Sequence, residues 1–110
     1  MPYYHYTSRE FAQSIDSAGR LSPGAKGVVY ITTELYEKGA EAVNRLAIEG
    51  KPIEVVGLIP EALIGARAVA PVIPITDGNG RLWRSGGGTQ ILITETIPSA
   101  EIKWLALSPP

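Results

Sequence analysis

Three consecutive glycines, Gly86, Gly87 and Gly88, open directly onto the β-patterned run 89–96. Glycine takes positive φ freely and lets other groups approach the main chain closely. A triple glycine at the mouth of a strand therefore predicts a loop that wraps something. The first strongly polar side chain beyond it is the amide of Gln90. An amide on a rigid strand orients and hydrogen-bonds a substrate; it is not a nucleophile.

The remaining punctuation points the same way. Twelve glycines and nine prolines in 110 residues demand many turns, which suits short strands better than a helical bundle. Residues 3–6 are aromatic and extended by preference. Thr7 and Glu10 have capping-box spacing. Phe11, Ile15 and Ala18 follow at helical spacing, and Gly19 is the stop. A turn is predicted over 21–24 and a strand over 28–32. A second helix is predicted over 33–48, with Tyr36, Ala40, Val43 and Ala47 on one face. Gly39 would weaken it by about 1 kcal/mol against alanine, and Gly50 would end it. Strands are predicted over 53–58, 68–73, 89–96 and 101–107. A polar loop or hairpin holds Asp77, Gly78, Asn79 and Gly80 within 75–82. Strand, helix, strand, helix, then strands is the order of a single α+β domain spanning 1–110.

Several chemistries are excluded by residue type. The net charge is -1 and no basic cluster exists, so nucleic acid is not the expected ligand. There is no cysteine and one histidine, which rules out thiol nucleophiles and multi-histidine metal sites; no metal site is expected. Asp77 and Asn79 lack the correctly spaced bidentate glutamate of a calcium loop. No Gly-Lys-Ser/Thr follows the glycines and no Gly-x-Ser-x-Gly elbow occurs. No run is long enough to span a membrane, and the first twenty residues do not read as a signal peptide. His5, Tyr30, Tyr36 and Gln90 remain. His5 precedes a helix start, where anions are received. Tyr30 offers a stacking surface for a flat ring, and Tyr36 is either its opposite wall or a core residue. On a strand, Gln90, Leu92 and Thr94 share one face while Ile91, Ile93 and Glu95 share the other. That alternation puts Gln90 in the site and Glu95 at the strand edge, in solvent.

The segments His5-Tyr6-Thr7-Ser8, Gly19-Arg20-Leu21-Ser22-Pro23 and Gly27 with Tyr30 and Thr32 resemble the N-terminal half of the ADP-ribosyltransferase superfamily. In particular they look like small bacterial toxin domains of its histidine-tyrosine-acid clade. Gly86-Gly87-Gly88-Thr89-Gln90 resembles the matching segment of NAD glycohydrolases of the tuberculosis necrotizing toxin type. The resemblance covers 3–36 and 83–106. It implies an ADP-ribosyltransferase-like split β-sheet core with two N-terminal helices, and NAD+ as substrate with no further cofactor. It implies that His5 bonds the adenosine-side ribose, with Thr7 beside it, and that Tyr30 lies near the nicotinamide with Tyr36 as a second stacking aromatic. It implies that the loop 82–89, with Trp83, Arg84, Gly87 and Gly88, covers the nicotinamide. Arg9, Arg81 and Arg84 are the cations offered to the pyrophosphate. Gln90 stands where transferases carry a catalytic glutamate and NAD-hydrolysing toxins carry glutamine. The resulting expectation is an NAD+ glycohydrolase toxin. The alternatives are a mono-ADP-ribosyltransferase, using Glu95 or another acid, and a non-catalytic NAD or ADP-ribose binder. A toxin implies a cognate immunity protein that plugs the cleft. It also implies a secreted or delivered effector of bacterial competition, acting in the target-cell cytoplasm.

Overall fold

A computed structural model of the chain describes residues 2–23, 27–48, 52–65 and 67–108. In order these form β1 (Tyr3–Thr7), α1 (Arg9–Ala18), β2 (Arg20–Leu21), β3 (Val29–Ile31), α2 (Gly39–Arg45), β4 (Val55–Ile59), β5 (Ala70–Pro71), β6 (Ile75–Thr76), β7 (Leu82–Arg84), β8 (Thr89–Ile93), β9 (Ile97–Pro98) and β10 (Lys103–Ala106). Short 3-10 turns occupy Glu61–Leu63 and Ser99–Glu101. Strands pair antiparallel as β1-β4-β10, β3-β8-β5, β2-β9 and β6-β7. The two three-stranded sheets are joined where Tyr4 and Thr32 exchange backbone hydrogen bonds of 2.9 Å. This is an α+β domain. Among the described residues no helix is long and apolar enough to cross a membrane.

Side-chain alternation builds two cores. β1 sends Tyr3 into a cluster with Ile59, Ile91, Ile93 and Ile97, and sends Tyr4 and Tyr6 into a second cluster with Tyr36, Ala42 and Val56. β8 buries Ile91 and Ile93 completely and leaves Leu92 about half exposed, as its period of two requires. Burying whole Ile and Val side chains stabilises by about 1.5–3 kcal/mol each.

Helix α1 starts one residue later than its sequence suggests. Ser8, not Thr7, is the cap: its Oγ accepts from the Phe11 amide at 3.1 Å. Thr7 is still in the β1–β4 ladder opposite Val55, so its backbone is committed to the sheet. Glu10 therefore does not complete a box with Thr7. Ala12 and Ile15 form the buried stripe, while Phe11 is exposed. Gly19 ends the helix at φ 81°, the left-handed cap that glycine adopts without cost.

The second helix is much shorter than the predicted 33–48. Residues 33–38 have helical periodicity, but the amides of Thr33, Glu34 and Tyr36 are taken by other acceptors. Glu34 N–H donates to Thr32 Oγ1, and Tyr36 N–H donates to the Tyr6 hydroxyl at 2.5 Å. Gly39 N–H donates to the Ser108 carbonyl. Local and long-range acceptors have displaced the helical ladder. Gly39 is not a weak interior point; it is the first helical residue, and a Cβ there would lie 2.2 Å from the Ile53 carbonyl oxygen. Gly39 and Ala42 are the buried residues of the helix, and the predicted Ala40 is exposed. The helix stops at Arg45, and Ala47 takes φ 52°. Gly50 lies outside the described residues, as does Gly24.

Two more boundaries shift. The turn predicted from residue 21 begins as a strand, β2. The predicted strand 68–73 narrows to Ala70–Pro71, because proline lacks the N–H that a ladder needs. The 75–82 segment forms the β6–β7 hairpin, where Asp77 Oδ1 accepts from the amides of Asn79 and Arg81.

Candidate functional site

A cleft of about 960 Å³ opens between the α1–β1 side of the molecule and the face of β3 and β8. That is at the upper end of ordinary small-molecule sites. His5, Thr7, Tyr30 and Gln90 all line it. β1 carries His5, whose Nδ1 lies 2.9 Å from the Tyr30 carbonyl oxygen. A carbonyl only accepts, so Nδ1 holds the proton and the ring is fixed in that tautomer. The register sets Tyr30 opposite Leu92 and Gln90 opposite Ala70. Tyr30 is 47% exposed and lines the cleft rather than being packed into the core. Gln90 Nε2 donates to the Pro71 carbonyl at 3.2 Å. The donor end of the amide is thereby anchored, and Oε1 remains an acceptor without a partner among the described residues.

Gln90 is held from its own strand entrance. Thr89 Oγ1 lies 2.8 Å from both Thr32 Oγ1 and Thr33 Oγ1. This hydroxyl cluster clamps the start of β8 to the end of β3. The two strands that carry Tyr30 and Gln90 are thus linked by side chains as well as by the ladder.

The triple glycine wraps the chain itself. A helix leaves its last carbonyls without intrahelical partners. Gly86 N–H donates to the Asn44 carbonyl and Gly88 N–H to the Arg45 carbonyl, both at the C-terminus of α2. Asn44 Oδ1 takes the Ser85 amide at 2.7 Å. Gly87 N–H donates to Val72 O, and Arg45 Nη2 donates to Gly87 O at 3.0 Å. The segment is a cap delivered to α2 from the far end of the chain. A Cβ at Gly86 would sit 2.6 Å from the Val72 oxygen, on a residue with φ 63°. A Cβ at Gly88 would sit 2.7 Å from the Tyr36 hydroxyl. No side chain fits either place. Gly87 and Gly88, which the resemblance places in the loop over the nicotinamide, have their amides bonded inside the protein.

Tyr36 does not face Tyr30. It packs in the second core against Tyr6, with ring centroids 5.7 Å apart, and its hydroxyl donates to Glu34 Oε2 at 2.8 Å. Burial pushes the Tyr6 hydroxyl up to about 12, with the Tyr36 amide bond opposing that shift. Burial and the Glu34 carboxylate raise Tyr36 as well. Both are fixed as neutral phenols at ordinary pH, so Tyr36 is a structural donor and not a stacking wall.

The cations also fall differently. Arg84 donates from Nε to the Ile48 carbonyl, and neither it nor Arg9 or Arg81 lines the cleft. Trp83 is the middle residue of β7, and its side chain lies outside the described residues. Glu95 sits past the end of β8, where Arg67 Nη2 pairs with it. Among the described residues the lining holds no carboxylate and a single arginine, Arg20. Sequence reasoning passed over Arg20, although Gly19 ends the helix beside it and exposed Arg20 alternates with buried Leu21.

Comparison with family models, with curated proteins and with solved structures finds no match to this chain.

Proposed function

We propose that the chain is an ADP-ribosyltransferase-like toxin domain that hydrolyses NAD+ to nicotinamide and ADP-ribose. The observation that carries this reading is the meeting of His5, Tyr30 and Gln90 in one cleft whose described lining has no carboxylate. The three lie far apart in sequence, and the resemblance had assigned each of them to NAD.

The chemistry needs little more. In NAD+ the nicotinamide ring is already cationic, so it departs as a neutral leaving group without a general acid. The C1′–N bond breaks with its electron pair passing to the ring nitrogen. A water oxygen then bonds to C1′ and loses its proton to solvent. Tyr30 stacks on the departing ring. Gln90, anchored through Nε2, turns Oε1 toward the ribose hydroxyl or the attacking water. Orientation of this kind, with dipoles set in advance, lowers the barrier to a cationic transition state. His5 holds the ribose on the adenosine side. Transfer to a protein through Glu95 is less well supported, because that carboxylate is paired with Arg67 outside the cleft. An enzyme of this type endangers its producer, so the partner it calls for is an immunity protein that fills the cleft.

The test is incubation of the purified chain with NAD+, following nicotinamide and ADP-ribose by chromatography, beside a lysate given labelled NAD+. Release of both products without labelled macromolecules is the expected result. Label on protein or nucleic acid would replace hydrolysis with transfer, and no consumption in either tube would end the enzymatic reading.

A further inference from the structure

The whole chain carries eleven acidic and ten basic residues, yet the cleft that holds His5, Tyr30 and Gln90 is lined, among the described residues, by no acid and by one arginine. Apolar walls strengthen the field of a charge they surround, and a cation with no acid among the described lining residues favours an anion. Arg20 is exposed, and its guanidinium has no hydrogen-bond or ion-pair partner among the described residues. Hydroxyls of Ser14 and Ser22 line the same cleft and can add donors.

The ladder orders the site. Along the chain from Gln90, β8 passes Leu92, which faces Tyr30, and Ile93, which faces Val29. β9 then pairs Ile97 with Leu21 and Pro98 with Arg20. Arg20 therefore stands beyond Tyr30 as seen from Gln90. A ligand that stacks a ring on Tyr30 and reaches toward β2 brings its distal part to the guanidinium. An arginine fork matches phosphate oxygens in geometry and charge.

We infer that Arg20 is the anion-binding residue of the cleft, receiving the phosphate of a nucleotide-class ligand whose reacting bond lies near Gln90. The nucleotide rests on the function proposed above; the anion preference does not. Arg20 replaces Arg9, Arg81 and Arg84 in that role.

The test is calorimetric titration of ADP-ribose and of adenosine into the full chain, wild type, Arg20→Ala and Arg20→Lys, with thermal unfolding as the check on folding. Arg20→Ala is expected to weaken ADP-ribose about 10- to 100-fold, the size of a lost charged hydrogen bond, and to leave adenosine unchanged. Arg20→Lys should recover part of the loss, since lysine keeps the charge but not the fork. Equal ADP-ribose affinity in wild type and Arg20→Ala overturns the inference, and so does a wild type that does not bind ADP-ribose. The two proposals separate cleanly. Arg20-dependent binding without nicotinamide release removes the hydrolase and keeps the anion site; release that is indifferent to Arg20 does the reverse.

Discussion

The glycine segment runs directly into β8, one wall of the cleft, yet segment and cleft are built on opposite terms. In the first, the amides of Ser85, Gly86, Gly87 and Gly88 all donate to groups of the protein itself. In the second, Tyr30 is about half exposed, and among the described residues Gln90 keeps an unpartnered acceptor and Arg20 an unpartnered cation. Polar groups that have found partners inside the fold hold it together. Polar groups left facing a cleft are the ones a ligand can use. The contrast moves the chemical interest of 85–90 from the glycines to the amide that follows them.

The strongest way to break this comparison is to give the glycine segment a side chain. Gly86→Ala combines positive φ with a 2.6 Å approach to backbone oxygen. It should cost about 2–4 kcal/mol of stability in urea unfolding. A loss under about 0.5 kcal/mol, the range of an ordinary surface change, would mean the loop is free after all. Gln90→Ala should do the converse. Nicotinamide release should fall about 10²- to 10³-fold, as when an orienting hydrogen-bond group is removed, with the unfolding midpoint unchanged. Gln90→Glu sharpens the result. Retained or higher release means that charge at this position helps the departing cation; a folded but dead variant means that the amide donor to Pro71 is required.

A smaller effect is expected in the Tyr6–Tyr36 core. The folded state holds the Tyr6 hydroxyl near 12 against the ordinary 10.0. The neutral phenol is thus favoured by folding. Its contribution is complete below about pH 10 and is lost as pH rises toward about 12. Unfolding midpoints measured across that window should fall, and Tyr6→Phe should flatten the fall while costing about 1–2 kcal/mol at neutral pH. A profile unchanged by Tyr6→Phe would place the alkaline sensitivity elsewhere. The smallest effect belongs to Tyr30→Phe. Its ring is half exposed, so its stability should stay within about 0.5 kcal/mol of wild type. A larger loss in thermal unfolding would mean that the hydroxyl is bonded within the fold.

Much of the architecture is readable without coordinates. The alternation of Ile91, Leu92 and Ile93 already says which face of β8 is core, because a strand has a period of two. Gly19 marks the end of α1, because few other residues enter the left-handed region cheaply. The strand positions of His5, Tyr30 and Gln90 follow from the same local rules. The sites that local rules misplace are those with distant partners. Residues 33–38 look helical until the Thr89 and Tyr6 hydroxyls take the amides of Thr33 and Tyr36. Three glycines look like a loop for a ligand until α2 ends against them. Arg20 looks like any exposed arginine until the cleft forms around it.

The sequence by itself determined the strand-rich α+β class, the faces of the main strands and the absence of thiol chemistry, because these depend on residue type and on spacings of a few positions. The tertiary structure decided where α2 begins and what the glycines are for. It also decided which cation enters the cleft. Each of those depends on a hydrogen bond or a surface shared by segments tens of residues apart, and no local spacing encodes such a meeting.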